Sequence, residues 1–255
     1  MSQSIRHPEI LDIARRDGKV TVEDLAAQFG VTLQTIRRDL TDLAEAGRLE
    51  RVHGGAVLPS GTMNIGYEER RSLNAAAKSA LGQACAARVP DDCALFLNIG
   101  TTTEALARAL LHHRSLLVVT NNMNVAQILS ANPDCEVILT GGVLRRSDGG
   151  LIGPLAVESV TQFKFDLAII GCSALDEDGD MLDFDMQEVA VSRMALRQSR
   201  AAYLVADHSK MQRTAPARIG SLAEMQAVFC DAGLPDQLTR KCAAWNTEIA
   251  ITPAS

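Results

Sequence analysis

Along the first 57 positions, apolar residues recur at helical spacing in three short stretches. Ile10, Ile13 and Ala14 share one stripe, which Asp17-Gly18 brings to an end. Thr21 offers a side-chain oxygen as N-cap, with Asp24 three residues later completing part of a capping box. Leu25, Ala26 and Phe29 then form the apolar face of a second helix, which Gly30 terminates. Thr32 caps a third helix with Ile36, Leu40 and Leu43 on its inner face, and Gly47 stops it. Leu49-Glu50-Arg51-Val52 and Ala56-Val57-Leu58 flank the turn His53-Gly54-Gly55, which predicts a two-stranded wing. The Pro-, Ser-, Gly-, Thr- and Asn-rich stretch from Pro59 to about Gly66 reads as a linker.

From residue 74 the texture changes. Ala75 to Val89 is helical in pattern, and Ala94–Asn98, Leu116–Val119, Glu136–Leu139, Leu167–Ile170 and Ala201–Val205 are apolar runs of strand length. Amphipathic stretches lie between several of them. Such alternation implies a mainly parallel sheet covered on both faces. The expected organisation is an α+β winged helix-turn-helix module over 1–58, a linker over 59–73 and an α/β domain over 74–255.

Composition narrows the function classes. The chain has 255 residues and 47% hydrophobic content, enough for a core in each of two domains. No window approaches the ~20 apolar residues of a membrane span, and the first residues do not resemble a signal peptide, so a cytoplasmic protein without membrane contact is expected. Six cysteines at 85, 93, 135, 172, 230 and 242 include no Cys-x-x-Cys pair, and the histidines at 7, 53, 112, 113 and 208 lack metal-ligand spacing. Neither a metal nor a cofactor is therefore expected. A net charge of −6 argues against a nonspecific nucleic-acid coat. Even residues 1–57 hold eight Lys+Arg against nine Asp+Glu, so any DNA affinity must come from the arrangement of charges.

That arrangement is present on the third helix. Opposite Ile36, Leu40 and Leu43 lie Gln34, Arg38 and Thr41, with Arg37 at the edge, and Arg48, Arg51 and His53 follow in the wing. Amides and guanidinium groups on one helical face suit base edges and phosphates in a major groove. The same spacing also fits a solvated charged face on a small helical domain.

In the second domain, small polar residues gather just after the strands. Asn98-Ile99-Gly100-Thr101-Thr102-Thr103-Glu104 opens a helix, where free N–H groups beside hydroxyls make an anion site. Taken alone, Gly-Thr-Thr-Thr is equally a helix cap. Thr120-Asn121-Asn122, Thr140-Gly141-Gly142 with Arg145 and Asp148-Gly149-Gly150, and Asp207-His208-Ser209-Lys210 occupy equivalent places. Arg145 and Lys210 have the charge to neutralise a phosphate, while Asn121, Asn122 and Asp148 suit hydroxyls. Asp148, Asp183, Asp185 and Glu188 also offer the carboxylate base that a sugar-phosphate isomerase needs, or simply bind hydroxyls and cap helices.

Val31-Thr32, Thr35-Ile36-Arg37-Arg38-Asp39-Leu40 and Arg51-Val52-His53-Gly54-Gly55-Ala56 resemble the N-terminal signature of the DeoR family of bacterial regulators. The resemblance continues through the strand-end groups and through Phe184-Asp185 with Glu188-Val189, spanning roughly residues 6 to 235. It implies a non-enzymatic repressor with Thr32, Gln34, Thr35, Arg37, Arg38, Thr41, Arg51 and His53 at operator DNA, and with Asp39 in a structural role, orienting a neighbouring arginine. It implies a sugar-phosphate-isomerase-like sensor domain that binds a phosphorylated sugar or polyol through Asn98, Gly100, Thr101, Thr102, Thr103, Asn121, Asn122, Gly141, Gly142, Arg145, Asp148, Gly149, Glu188 and Lys210. Within the family the likeness is strongest to regulators of glycerol 3-phosphate and polyol catabolism, which favours glycerol 3-phosphate as effector. Many members carry Asp where this chain has Asn98, and an amide there repels phosphate less. A homo-oligomer, dimer or tetramer, is expected because such readers gain affinity from two half-sites. The last twenty or so residues are left unplaced.

Overall fold

The computed structural model describes residues 3–45, 48–52, 54–57 and 66–253. The expectations for Gly47, His53, Leu58 and residues 59–65 lie outside them. Helix α1 (Gln3–Asp17) runs through Gly18, at φ +77°, into the short strand β1 (Lys19–Thr21). Thr21 Oγ1 accepts from Asp24 N at 3.1 Å to cap α2 (Val22–Phe29), and Gly30 ends that helix in the left-handed region. α3 (Leu33–Glu45) starts after Thr32, whose hydroxyl accepts from Thr35 N at 3.2 Å. The wing is β2 (Glu50–Val52) paired antiparallel with β3 (Gly55–Val57), and β1 adds to its far side in the order β1-β3-β2. A Cβ on Gly55 would lie 1.9 Å from Val20 O, so only glycine lets β3 run this close to β1. Ile10, Leu25, Ile36 and Leu40 meet in the fully buried centre, each contributing about 1.5–3 kcal/mol by leaving water.

The stretch read as linker is helical in its second half. There α4 (Tyr67–Ser72) packs on the domain, followed by α5 (Ala75–Ala86). Then come β4 (Ala94–Leu97), α6 (Thr101–Ala109), β5 (Leu116–Thr120), α7 (Met123–Leu129) and β6 (Cys135–Leu139). A hairpin of β7 (Val143–Arg145) and β8 (Gly150–Ile152) leads to α8 (Pro154–Thr161) and β9 (Phe165–Ile170). β10 (Ala174–Leu175), β11 (Asp180–Asp183), α9 (Met186–Gln198), β12 (Ser199–Val205) and β13 (Ala217–Ser221) follow, then β14 (Ala227–Cys230), α10 (Asp236–Trp245) and β15 (Glu248–Ile251).

Seven of these strands form one parallel sheet in the order β15-β14-β12-β9-β4-β5-β6. Strand alternation divides its side chains between two layers. Leu95 and Leu97 join Leu81, Leu106 and Val125 beneath α5, α6 and α7, whereas Phe96 joins Val160 and Val191 beneath α8 and α9. The small antiparallel sheet β10-β11-β13 and α10 extend the second cover. The unplaced C-terminus is thus α10 and an edge strand, with Cys242 fully buried and the Trp245 ring against Gly179. From β4 the strand succession runs outward through β5 and β6, then restarts at β9 on the other side. That reversal opens a crevice at the carboxyl ends of β4 and β9, where ligands of open α/β sheets bind.

Candidate anion site and nucleic-acid interface

The crevice is closed from behind by Asn98. Its Oδ1 accepts from Gly171 N at 2.9 Å, while its Nδ2 donates to Gly171 O and Ser192 Oγ at 3.1 and 3.3 Å. Both ends of the amide are thereby committed to joining β4 to β9, and the side chain is buried. Gly100 then starts α6, with Thr103 Oγ1 donating to Asn98 O and Gly100 O at 2.9 and 2.8 Å. The first-turn N–H groups of such a helix have no intrahelical acceptors and carry the positive end of its dipole.

Two adjoining compartments open in front of that turn. The inner one is lined by Ile99–Thr102, Gly171–Ser173, Lys210 and Arg70; the outer, of about 230 Å³, by Tyr67, Arg145, Asp148 and Asp185. Arg70, Asp183 and Glu188 border both. The Lys210 side chain is delivered by the single-turn helix His208–Gln212 and makes no hydrogen bond among the described residues, although the residue is only 9% exposed. Burial pushes its pKa down, and Asp207 is the strongest charge acting to restore it. Asp207 is itself buried, yet Lys210, Ser209, Lys78 and Asn74 hold its carboxyl well below the usual carboxylate range. On α5, Lys78 is lowered to about 8 by burial, and its Nζ donates to Leu73 O at 2.6 Å and to Arg70 O.

The outer compartment is organised around Arg145. Its guanidinium donates to Asp148 (2.9 and 2.7 Å), Asp185 (2.7 Å) and Glu188 (2.5 Å). Burial opposes its charge, but Asp148 and Glu188 raise its pKa on balance. Burial, followed by the charge of Asp183, pushes Glu188 up to about 8 despite Arg145. Asp183 is raised by burial too, against bonds from Phe184 N and Ser173 Oγ. Asp148 stays low because Arg145 and Arg70 outweigh its burial. Cationic groups face the α6 turn on one side, and carboxyl groups able to accept or donate line the other. This arrangement suits a small molecule with an anionic group at one end and hydroxyls at the other.

Of the expected effector residues, Gly100, Thr101, Thr102, Arg145, Asp148, Glu188 and Lys210 line these compartments. Asn98 and Thr103 stand behind them as scaffolding. Asn121 Nδ2 donates to Leu151 O and Asn122 Oδ1 caps α7, while Asn121 Oδ1 and Asn122 Nδ2 are buried without partners among the described residues. Gly141 lies against Leu155 and Ser159, Gly142 (φ +131°) lets the β7–β8 hairpin close on Ile152, and Gly149 lies beside Asn124. Arg145 meets carboxylates rather than open space. Sequence reasoning missed Tyr67, Arg70 and Lys78. Arg70 lies in the charge run from Glu68 to Arg71, of which Glu68 and Arg71 are exposed. The spacing of Tyr67, Arg70, Asn74 and Lys78 along one helical face was the available signal.

On the N-terminal module, Gln34, Arg37, Arg38 and Thr41 are exposed along α3, opposite buried Ile36, Asp39, Leu40 and Leu43. Thr32 and Thr35 bind each other at the helix start, 2.9 Å apart. The Arg37 and Arg38 guanidinium groups make no hydrogen bond among the described residues, and Arg51 reaches from the wing to Arg37 O at 3.4 Å. His53 lies outside the described residues. Asp39 points inward to Arg6 on α1, so the arginine it orients is neither of its neighbours.

Residues 6–62 match the model of the DeoR-like helix-turn-helix domain, and residues 73–232 that of the DeoR C terminal sensor domain. The glycerol-3-phosphate regulon repressor of Escherichia coli (strain K12) is 43% identical over 235 residues, covering 92% of this chain and 93% of that protein. The HTH-type transcriptional repressor CsqR of the same organism is 37% identical over 246 residues, 96% and 94% of the two chains. Among solved structures, ribose 5 phosphate isomerase A from Neisseria gonorrhoeae aligns over 52% of each chain with a TM-score of 0.39 and 14% identity, a likeness that carries no functional argument.

Proposed function

The chain belongs to the DeoR family of transcription regulators, and on that premise we propose that it represses a glycerol 3-phosphate or polyol catabolic regulon and leaves its operator when a phosphorylated effector binds. The observation that carries the effector reading is the meeting of the buried Lys210 side chain, which makes no hydrogen bond among the described residues, with the α6 first turn and Arg70. A phosphate is received by the N–H groups of Gly100 to Thr103 and by the two cations, and the effector's hydroxyls reach Asp183, Glu188 and Asp148. The 43% identity to a glycerol-3-phosphate regulon repressor supports a three-carbon effector. Operator binding runs through Arg37, Arg38 and Arg51 with Gln34 and Thr41, in a homo-oligomer that sets two α3 helices on two half-sites. No helix among the described residues is long and apolar enough to cross a membrane, and operator binding requires access to the chromosome, so we assign it to the cytoplasm.

The test is fluorescence anisotropy of a labelled operator duplex titrated with glycerol 3-phosphate, glycerol, inorganic phosphate and fructose 1-phosphate. Release by glycerol 3-phosphate at the lowest concentration supports the reading. Release by another sugar phosphate alone replaces the effector, and release by none of them overturns the sensor assignment.

A further inference from the structure

The segment that leaves the linker ends inside the cavity. On α4, Tyr67 Oη donates to the Glu104 carboxylate of α6 at 2.9 Å. Arg70 Nη2 donates to Asp148 Oδ2 at 3.2 Å, while its buried Nε has no hydrogen-bond partner among the described residues. Its side chain is 16% exposed and borders both compartments. Lys78 holds the carbonyls of Arg70 and Leu73, so the last turn of α4 is tied to α5.

Asn74 sits at the junction of those helices, at φ +52°, a left-handed conformation uncommon outside glycine. It stands at the N-cap of α5, yet its side chain makes no capping bond. Instead Nδ2 donates to Arg16 O at 3.1 Å, in the last turn of α1, and to Asp207 Oδ1 at 3.0 Å. A single amide thus bridges the DNA-reading module and the main countercharge of Lys210. The modules touch closely here: a Cβ on Gly18 would fall 2.5 Å from Gln212 Cβ. A backbone outlier that forgoes its local bond for a bridge between domains points to a role beyond folding.

We infer that the α4–α5 junction transmits effector occupancy: Arg70 closes on the anionic group of the ligand, and Asn74 passes the displacement to the end of α1. This rests on the effector reading above. An anion between the α6 first turn and Lys210 draws that lysine away from Asp207 and draws Arg70 away from Asp148. Arg70 carries α4 with it and turns the chain at Asn74, while Asp207 loses its countercharge. The bonds from Asn74 to Arg16 and to Asp207 then no longer fit one geometry, and α1 is released from its docked position. Linkage requires operator binding to weaken the effector by the same factor.

The experiment uses the full chain, an operator duplex and glycerol 3-phosphate. Three quantities are measured: operator Kd without effector, operator Kd at saturation, and effector Kd. Asn74→Gly removes the amide while accommodating the left-handed backbone, and thermal melting checks that the fold is retained. We expect its effector Kd to stay within about threefold of wild type, while the release factor, typically about 5- to 150-fold in allosteric proteins, falls below about twofold. Arg70→Gln has the opposite signature, raising the effector concentration for half release by about tenfold or more through loss of a charged hydrogen bond. Asn74→Gly with an undiminished release factor overturns the inference while leaving the effector reading intact. A wild-type protein that glycerol 3-phosphate does not release overturns both.

Discussion

Arg6 and Asp39, 33 positions apart, hold each other through two parallel hydrogen bonds, Nε to Oδ2 at 2.7 Å and Nη2 to Oδ1 at 3.1 Å. The pair fastens α1 to the inner face of α3, directly behind Arg37 and Arg38. Because α1 also carries the Arg16 carbonyl that meets Asn74, this clasp lies between the effector domain and the DNA-reading face.

Asp39→Asn keeps the volume but removes the carboxylate charge that faces Arg6. Breaking a buried, bidentate pair from one side is destabilising, since the remaining ion keeps its desolvation cost. The expected result is a lower melting temperature and an operator affinity reduced by a similar factor on matched and mismatched duplexes. A loss confined to one base position would instead mean that Asp39 itself takes part in readout.

Arg38 and Arg51 should separate by the kind of affinity they supply. Arg38 projects from the centre of the exposed α3 face, so Arg38→Ala is expected to cost about 1–3 kcal/mol on the cognate operator and to relax preference at one position. Arg51 leans from the wing onto Arg37 O, away from the centre of the α3 face, so on the operator reading above Arg51→Ala should weaken all sequences alike and reduce the salt slope by about one. Binding isotherms at several salt concentrations on cognate and substituted duplexes read both effects. Identical profiles for the two variants would remove the distinction.

Glu188 predicts a pH dependence of stability. Burial and Asp183 push its pKa up to about 8 from an ordinary 4.5. Between those values the folded protein holds a proton that the unfolded chain has given up, so this group's contribution to stability declines as pH rises from about 4.5 to about 8. Glu188→Gln removes the titration while keeping a hydrogen-bonding side chain beside Arg145. The variant's stability, from urea unfolding at a series of pH values, should lose less than wild type across that window, with a difference in slope on the order of 1 kcal/mol per pH unit. Parallel curves would show that Arg145 keeps Glu188 ionised throughout.

What the sequence disclosed was local. Thr21 with Asp24, Gly30, and the Gly54-Gly55 turn each act within a few residues, and every one marks a boundary that the structure has. β1 escaped because three residues hold no period, and its pairing partner lies over thirty positions away. The same distance hid chemistry. Asn98 looked like a ligand because it follows a strand, but Gly171, 73 residues on, uses its amide. Arg70 escaped as well, because nothing near it in the chain announces Asp148 or Lys210. Strand-end position puts Gly100, Thr101 and Lys210 in the lining of the compartments and Asn121, Gly141 and Gly142 outside it, since loops that close a crevice and loops that line it have the same composition.

Lys210 gives the sharpest test of which residues hold the effector. It reaches the cavity from the helix His208–Gln212 rather than from α4, and its ammonium loses solvation without gaining a hydrogen bond among the described residues. That arrangement costs stability unless an anion binds there, and a hydrogen bond to a charged group is worth about 1.5–3 kcal/mol. Lys210→Gln is therefore expected to raise the effector concentration needed for half release by about 10- to 150-fold. Thermal shift reads the same loss independently. A ligand at a hundred times its Kd stabilises its protein by about 2.7 kcal/mol, so at that concentration of glycerol 3-phosphate a variant weakened about 10- to 150-fold should keep only about 1.4 to 0.3 kcal/mol of the stabilisation. Without effector the variant should melt below wild type, because buried Asp207 loses the strongest charge that compensates it. A variant that keeps wild-type response to effector would take Lys210 out of the site and leave the α6 turn and Arg70 to hold the phosphate.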